Sequence, residues 1–561
     1  MKKSFLVLIY CCIFLFPKAQ LLQLKNKFTN VDTLRGSITA GRLGWDVLHY
    51  DITVAPDFNN RTITGKTIIT YFESLAVKNM QIDLQQPLIV DSVVGENNIN
   101  YKFARDNNIC WVYIRDSLAM YKISPGIRHI TIYYHGHAVE AKRPPWDGGL
   151  VWRNDTLGRP ILGTACQGTG ASVWWPCKDH QSDEPDSGVY VHLTAPDSLV
   201  AVSNGRLQNI LPQANGFNMW NWVVKNPINT YDVTMNIGKY VSWSDTLMGE
   251  EGKLDLQYWV LDYNLEKAKK QFEQVKPMLH SHEYWFGRYP FYEDGYKLIE
   301  TSFLGMEHQS GVAYGNRYQN GYLGRDLSAT GQGLKWDFII VHESGHEWFG
   351  NNITTKDIAD MWVHEGFTNY SETLYIENMF GKDAAQEYCL GLRKKIKNDI
   401  PIIGYYGVNN EGSGDMYNKA SNMINMIRYI MQDDNKFRNM LRGLNNDFHH
   451  QTVTTQQVEQ YINDRSGINF NQIFDQYLRT IQVPVLEYYF NTRRRKLYYH
   501  WTNCIKGFNL PLLLKGKNLV KLKPIEKWSK KKLKHDSDIS IISSADNNYY
   551  YIKTKQLTQK P

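Results

Sequence analysis

Residues 342–354 read HESGHEWFGNNIT, and residues 357–379 read DIADMWVHEGFTNYSETLYIENM. If 338–349 is helical, His342 and His346 stand at i and i+4, one turn apart on one face. Their imidazoles can then converge on one divalent cation, with Glu343 beside it as a base. A zinc that activates water needs three protein ligands and one open position. A second helix over 357–379 can deliver Glu365 as the third ligand. The plainer reading is a helix that happens to carry two histidines and a glutamate, and it leaves the fixed position of Glu365 without a reason. A metzincin would want glycine and histidine three and six places after His346, where this chain has Phe349 and Asn352. The third ligand is therefore a carboxylate from a separate helix. Two histidines, a glutamate and a water form a hydrolytic set.

From that pair of helices the reading extends in both directions. HESGHEWFGNNIT resembles the HExxHxWFGN block of the aminopeptidase N type zinc metallopeptidases, a family that includes leukotriene hydrolase. DMWVHEGFTNYSE (360–372) resembles its W-x-x-E-G-F block. Leu304-Gly305-Met306-Glu307-His308 stands where the family has G-x-M-E-N. Cys166-Gln167-Gly168 with Pro176-Cys177-Lys178-Asp179 is similar to its glutamine-then-P-C-x-D block, and Met416-Tyr417-Asn418-Lys419-Ala420 to its Y-x-K-G block. These blocks span about 166–420, with weaker similarity to about 480. The resemblance implies one zinc per chain on His342, His346 and Glu365, with Glu343 moving the proton. It implies Tyr417 as a hydrogen-bond donor to the developing oxyanion, and Glu307 and Gln167 as ligands of a substrate's free α-amine. Glu372 lies seven residues after Glu365 on the same helical face, where it either orients a ligating histidine or is an exposed glutamate.

The departures are specific. Leu304 replaces a glycine, so a side chain stands on the backbone edge that would pair with substrate. His308 replaces an asparagine, and Ala420 replaces a glycine. The run Ala171-Ser172-Val173-Trp174-Trp175 stands where many members carry an arginine, and packing accounts for it.

A chain of 561 residues with 42% hydrophobic and 21% charged residues has ordinary globular composition and room for several domains. The net charge of +7 is not gathered into a nucleic-acid footprint. Its densest run, 527–534 (KWSKKKLK), reads as a solvated basic turn. No partner beyond peptides with a free N-terminus is implied, and oligomeric state is left open. Lys2-Lys3 precede an apolar run over residues 5–16, and Ala19 offers a cleavage point. That is a signal peptide over 1–19, too short to favour a transmembrane span. Cys11 and Cys12 lie inside it, and Tyr10 is not the small residue a lipobox needs. A secreted or periplasmic protein follows. Of the five remaining cysteines, Cys166 and Cys177 are either one bridge or two buried thiols.

The fold class expected is multidomain α+β. Residues 20–245 form an N-terminal β domain, with alternating runs such as Tyr50-Asp51-Ile52-Thr53-Val54. Residues 246–480 form a thermolysin-like, mainly helical catalytic domain. Its first stripe is Leu265, Ala268, Phe272, Val275, Leu279 and Trp285, with Pro277 expected to kink it. Residues 481–561 form a small C-terminal β-sandwich-like domain. The function expected is a zinc aminopeptidase. The alternatives are an epoxide hydrolase of the leukotriene hydrolase kind and an inactive peptide-binding homologue.

Overall fold

The computed structural model describes residues 27–115, 125–515, 519–533, 542 and 549–559. The signal-peptide reading over 1–19 lies outside the described residues. After two short helices, Asn30–Gly36 and Ala40–Leu43, the N-terminal part is mainly β. Seven strands form one sheet, in the order Arg206–Gln213, Phe217–Val224, Val189–Pro196, Trp45–Asp57, Thr62–Glu73, Gly126–Gly136, Ile89–Val94. Alternation sets its faces: Tyr50, Ile52 and Val54 are buried, as are Ile130, Ile132 and Tyr134 on a strand two places away. A four-stranded sheet (Val200–Val202, Asn236–Gly238, Pro160–Ala165, Gly149–Asn154) ends at the segment that carries Gln167.

The catalytic part opens with a five-stranded mixed sheet in the order Tyr240–Gly249, Gly252–Leu261, Tyr296–Glu300, Val312–Tyr314, Gly305–Met306. The division expected after residue 245 falls inside the first of these strands. That strand pairs along its whole length with Gly252–Leu261, so it belongs to the five-stranded sheet. The helical stripe from Leu265 is broken, but not by Pro277. A short 3-10 turn over Phe272–Gln274 separates the helices Leu265–Gln271 and Val275–Phe286. Pro277 sits in the first turn of the second helix, where a missing N–H costs no helical bond.

The site helices are Phe338–Gly345 and Trp362–Phe380, the latter entered through a 3-10 turn capped by Asp357; Lys382–Arg393, Asn418–Met431 and Asp434–Asp447 follow. The helix Thr455–Ser466 begins with the capping box Thr454/Gln457, and Asn471–Arg479 closes the helical part. The C-terminal part has a four-stranded sheet and a two-stranded ribbon. Leu486, Trp501, Phe508 and Leu512 join the same buried core as the catalytic helices. Within the described part of the basic run, Ser529–Lys532 is a strand rather than a turn. Ser529–Lys532 pairs with Lys496–Thr502 at the sheet edge, and its exposed lysines protect that edge from further pairing.

Candidate active site

Asp337 fixes the start of the first site helix by accepting the N–H groups of Ile339 and Ile340. His342 and His346 then come one turn apart, with ring centroids separated by 5.1 Å. The helix ends at Gly345, short of the expected 349. Glu347–Asn351 opens into a wider π-type turn in which Gly350 has φ +133°. A Cβ there would lie 3.2 Å from His346 Nδ1, so glycine serves both the backbone and the ring.

That turn brings the Phe349 carbonyl to 3.0 Å from His346 Nδ1. A carbonyl only accepts, so Nδ1 carries a proton, and in the neutral ring Nε2 keeps its lone pair for a metal. Glu372 does the same for His342, with Oε1 2.7 Å from Nδ1. Glu372 is buried, not exposed, and is held by Tyr388 Oη at 2.6 Å and Asn369 Nδ2 at 3.0 Å.

Both Nε2 atoms face Glu365 Oε2, at 3.4 Å from His346 and 3.7 Å from His342. Among the described residues, the buried Glu365 Oε2 has no hydrogen-bond partner. Three acceptors that face one another out of water repel, unless a cation sits among them. A tetrahedral zinc bound at about 2.0–2.2 Å would set its ligand atoms roughly 3.3–3.6 Å apart. These donors fit that ion.

Tyr417 reaches the same place through a close helix crossing. A Cβ on Gly366 would stand 2.7 Å from Ala420 Cβ. The helices Trp362–Phe380 and Asn418–Met431 can meet there because residues 366 and 420 are both small. Tyr417, just ahead of the second helix, stacks on His342 at 6.1 Å between centroids. Burial, and then the charge of Glu365, hold its phenol well above the usual range, so it remains a donor.

The opposite wall is the strand Gly305–Met306 and the residues after it. A Cβ on Gly305 would meet Ile339 Cγ2 at 2.9 Å and Glu343 Oε1 at 3.0 Å, so glycine lets this edge lie against the site helix. Leu304, one residue earlier, is taken up by the hydrophobic core. Glu307 is buried, and a carboxylate oxygen of Glu307, one of Glu343 and a ring nitrogen of His346 all lie within 4.8 Å of one another. Burial pushes both carboxyls upward, with the imidazoles of His342 and His346 pulling the other way.

Gln167 Nε2, from the β part, donates to Glu307 Oε1. Asn351 Nδ2 donates to the Glu307 carbonyl at 2.8 Å, and the Ser310 N–H donates to Glu347 at 2.8 Å. The metal-side turn and the Glu307 loop are thereby tied together. His308 is fully buried, and burial pushes it down to about 3, so it is neutral. Cys166 and Cys177 are two buried thiols, not a bridge.

All eight residues singled out from the sequence thus surround one place. Sequence reasoning missed Asn351, although it lies inside the quoted block, and also Asn369 and Tyr388. Tyr388 carries no local signal, because its partner Glu372 is on a different helix.

The Peptidase family M1 domain matches residues 263–477, and the Peptidase M1 N-terminal domain matches residues 47–231. The chain belongs to peptidase family M1. It is 23% identical over 375 residues to a leukotriene A-4 hydrolase of Xenopus laevis, covering 64% of this chain and 56% of that protein. It is 22% identical over 473 residues to an aminopeptidase N of Lactobacillus helveticus, covering 78% and 51%. The chain therefore spans about half the length of these curated relatives. Among solved structures, a mutant M1 zinc metallopeptidase of Deinococcus radiodurans bound to a Tyr-Ser-Ala substrate has a TM-score of 0.63. It is 18% identical, with 78% of this chain and 95% of that one covered. The M1 family implies zinc. Among the described residues no helix is long and apolar enough to cross a membrane.

Proposed function

We propose that this M1 member is a zinc-dependent aminopeptidase that removes the first residue of peptides with a free N-terminus. The observation that carries the reading is the Glu307 carboxylate within 4.8 Å of Glu343 and His346. In a peptide, only Cα separates the terminal amine from the first carbonyl. An amine held at Glu307 therefore presents the first peptide bond, and no later one, to Glu343.

His342, His346 and Glu365 would hold one zinc ion, with His342 oriented by Glu372. When bound, zinc lowers the pKa of a water and polarises the carbonyl under attack. Glu343 takes the proton from the attacking water and delivers it to the leaving amine. Its raised affinity for protons suits both halves of that task. Tyr417 donates to the carbonyl oxygen as negative charge develops there. Glu307 and Gln167 bind the terminal ammonium, whose free pKa of about 8 keeps it largely cationic near neutral pH.

The relative named leukotriene A-4 hydrolase supports a second reading, an epoxide hydrolase that uses the same residues. Purified protein assayed on aminoacyl anilides and on a lipid epoxide, with and without a strong chelator, separates the two. Chelator-sensitive anilide hydrolysis supports the aminopeptidase. Epoxide turnover without anilide turnover would replace it. We further propose export across a membrane on the strength of residues 1–19, which intact-mass measurement of the expressed protein would test through the loss of those residues.

A further inference from the structure

The carboxylate of Glu307 has a partner that the sequence motifs do not supply. Tyr231 Oη lies 3.3 Å from Glu307 Oε1 and donates to it, the same oxygen that accepts from Gln167 Nε2. Tyr231 is 4% exposed and sits in the short turn Thr230–Asp232 of the β part. Its backbone is anchored beside Gln167, because the Cys166 thiol donates to the Tyr231 carbonyl at 3.3 Å. The β part therefore presents two neutral donors, on two linked segments, to one oxygen of one carboxylate.

Glutamate has three side-chain torsions, and an amine ligand that must hold a substrate in register cannot leave them free. The hydrogen bond that the Tyr231 phenol donates goes to Glu307. Burial, and then Asp232, hold its phenol well above the usual range, so it donates and does not compete with Glu307 for a proton. Neutral donors leave the carboxylate charge uncancelled for the incoming ammonium, where a lysine or arginine in the same place would neutralise it.

We propose that Tyr231 is a positioning residue of the amine site, which fixes the Glu307 carboxylate so that it meets a substrate ammonium in one place with its full charge. The proposal rests on the reading of Glu307 as the amine ligand. A Tyr231 that merely fills space beneath the turn would be replaced by phenylalanine without kinetic effect, since the ring and its packing survive.

The test is a double-mutant cycle on the full chain with a free-amine aminoacyl anilide as probe. It compares wild type, Tyr231→Phe, Glu307→Gln and the double variant, with zinc content and Tm measured for each. Tyr231→Phe should raise KM about 10-fold or more, the size expected for losing a hydrogen bond to a charged group, with kcat, zinc and Tm close to wild type. On the Glu307→Gln background the same change should add less than about 2-fold, because Tyr231 acts through Glu307. A wild-type KM in Tyr231→Phe overturns the proposal, as does an equal factor in both backgrounds. If Tyr231→Phe is silent while Glu307→Gln is impaired, only the role of Tyr231 is lost. If Glu307→Gln itself keeps the wild-type KM, the amine reading falls and this inference with it.

Discussion

The two halves of the site are built differently. The metal half comes from one stretch of 31 residues, His342 to Glu372, on two successive helices. The amine half is assembled from Gln167, Tyr231 and Glu307, on segments of two different sheet systems. Local helical geometry suffices to converge the first set. The second exists only when the β part is docked on the catalytic part. The difference teaches that chemistry and substrate register are separable here: one half should be breakable without disturbing the other.

The most damaging change should be His346→Ala. It removes one of three ligands and leaves Glu365 buried opposite a single imidazole, so both zinc and activity should vanish, as read by metal analysis and anilide assay. Glu343→Gln should sharpen the contrast within the metal half. It keeps shape and zinc but removes proton acceptance, and kcat should fall by about 10²–10⁴. Tyr417→Phe should keep both zinc and KM while kcat falls by about 10²–10³, the range for an oxyanion donor. A Tyr417→Phe enzyme with wild-type kcat would remove that residue from the mechanism. Glu372→Gln should be milder. The His342 ring loses its charged partner, and zinc affinity should drop by about 10–100-fold in competition with a chelator, with activity restored by added zinc.

The same contrast explains what was legible in the sequence. The spacing of His342 and His346, and the seven-residue step from Glu365 to Glu372, follow directly from helical period. All four converge as that period requires. The end of the site helix was not legible, because Phe349 and Gly350 leave helical geometry to carry a carbonyl back to His346. A pattern of residue types does not show that a ring nitrogen needs such a partner. Ala420 is a small departure from the motif, a methyl in place of a hydrogen. Its reason lies in Gly366 across a helix crossing, a pairing that no window of sequence contains. Leu304 was expected to crowd the substrate edge, but the core takes it up. Tyr231, Asn351 and Tyr388 act through partners 76, 44 and 16 residues away, beyond any local periodicity.

Separability is tested most directly by one peptide presented twice, with a free and an acetylated N-terminus, to wild-type and Glu307→Gln protein, both fully loaded with zinc. The account predicts that wild type cleaves the free peptide far faster than its acetylated twin. It also predicts that Glu307→Gln loses kcat/KM on the free peptide while retaining its zinc. Rapid cleavage of the acetylated peptide by wild type, or loss of zinc from Glu307→Gln, would contradict it.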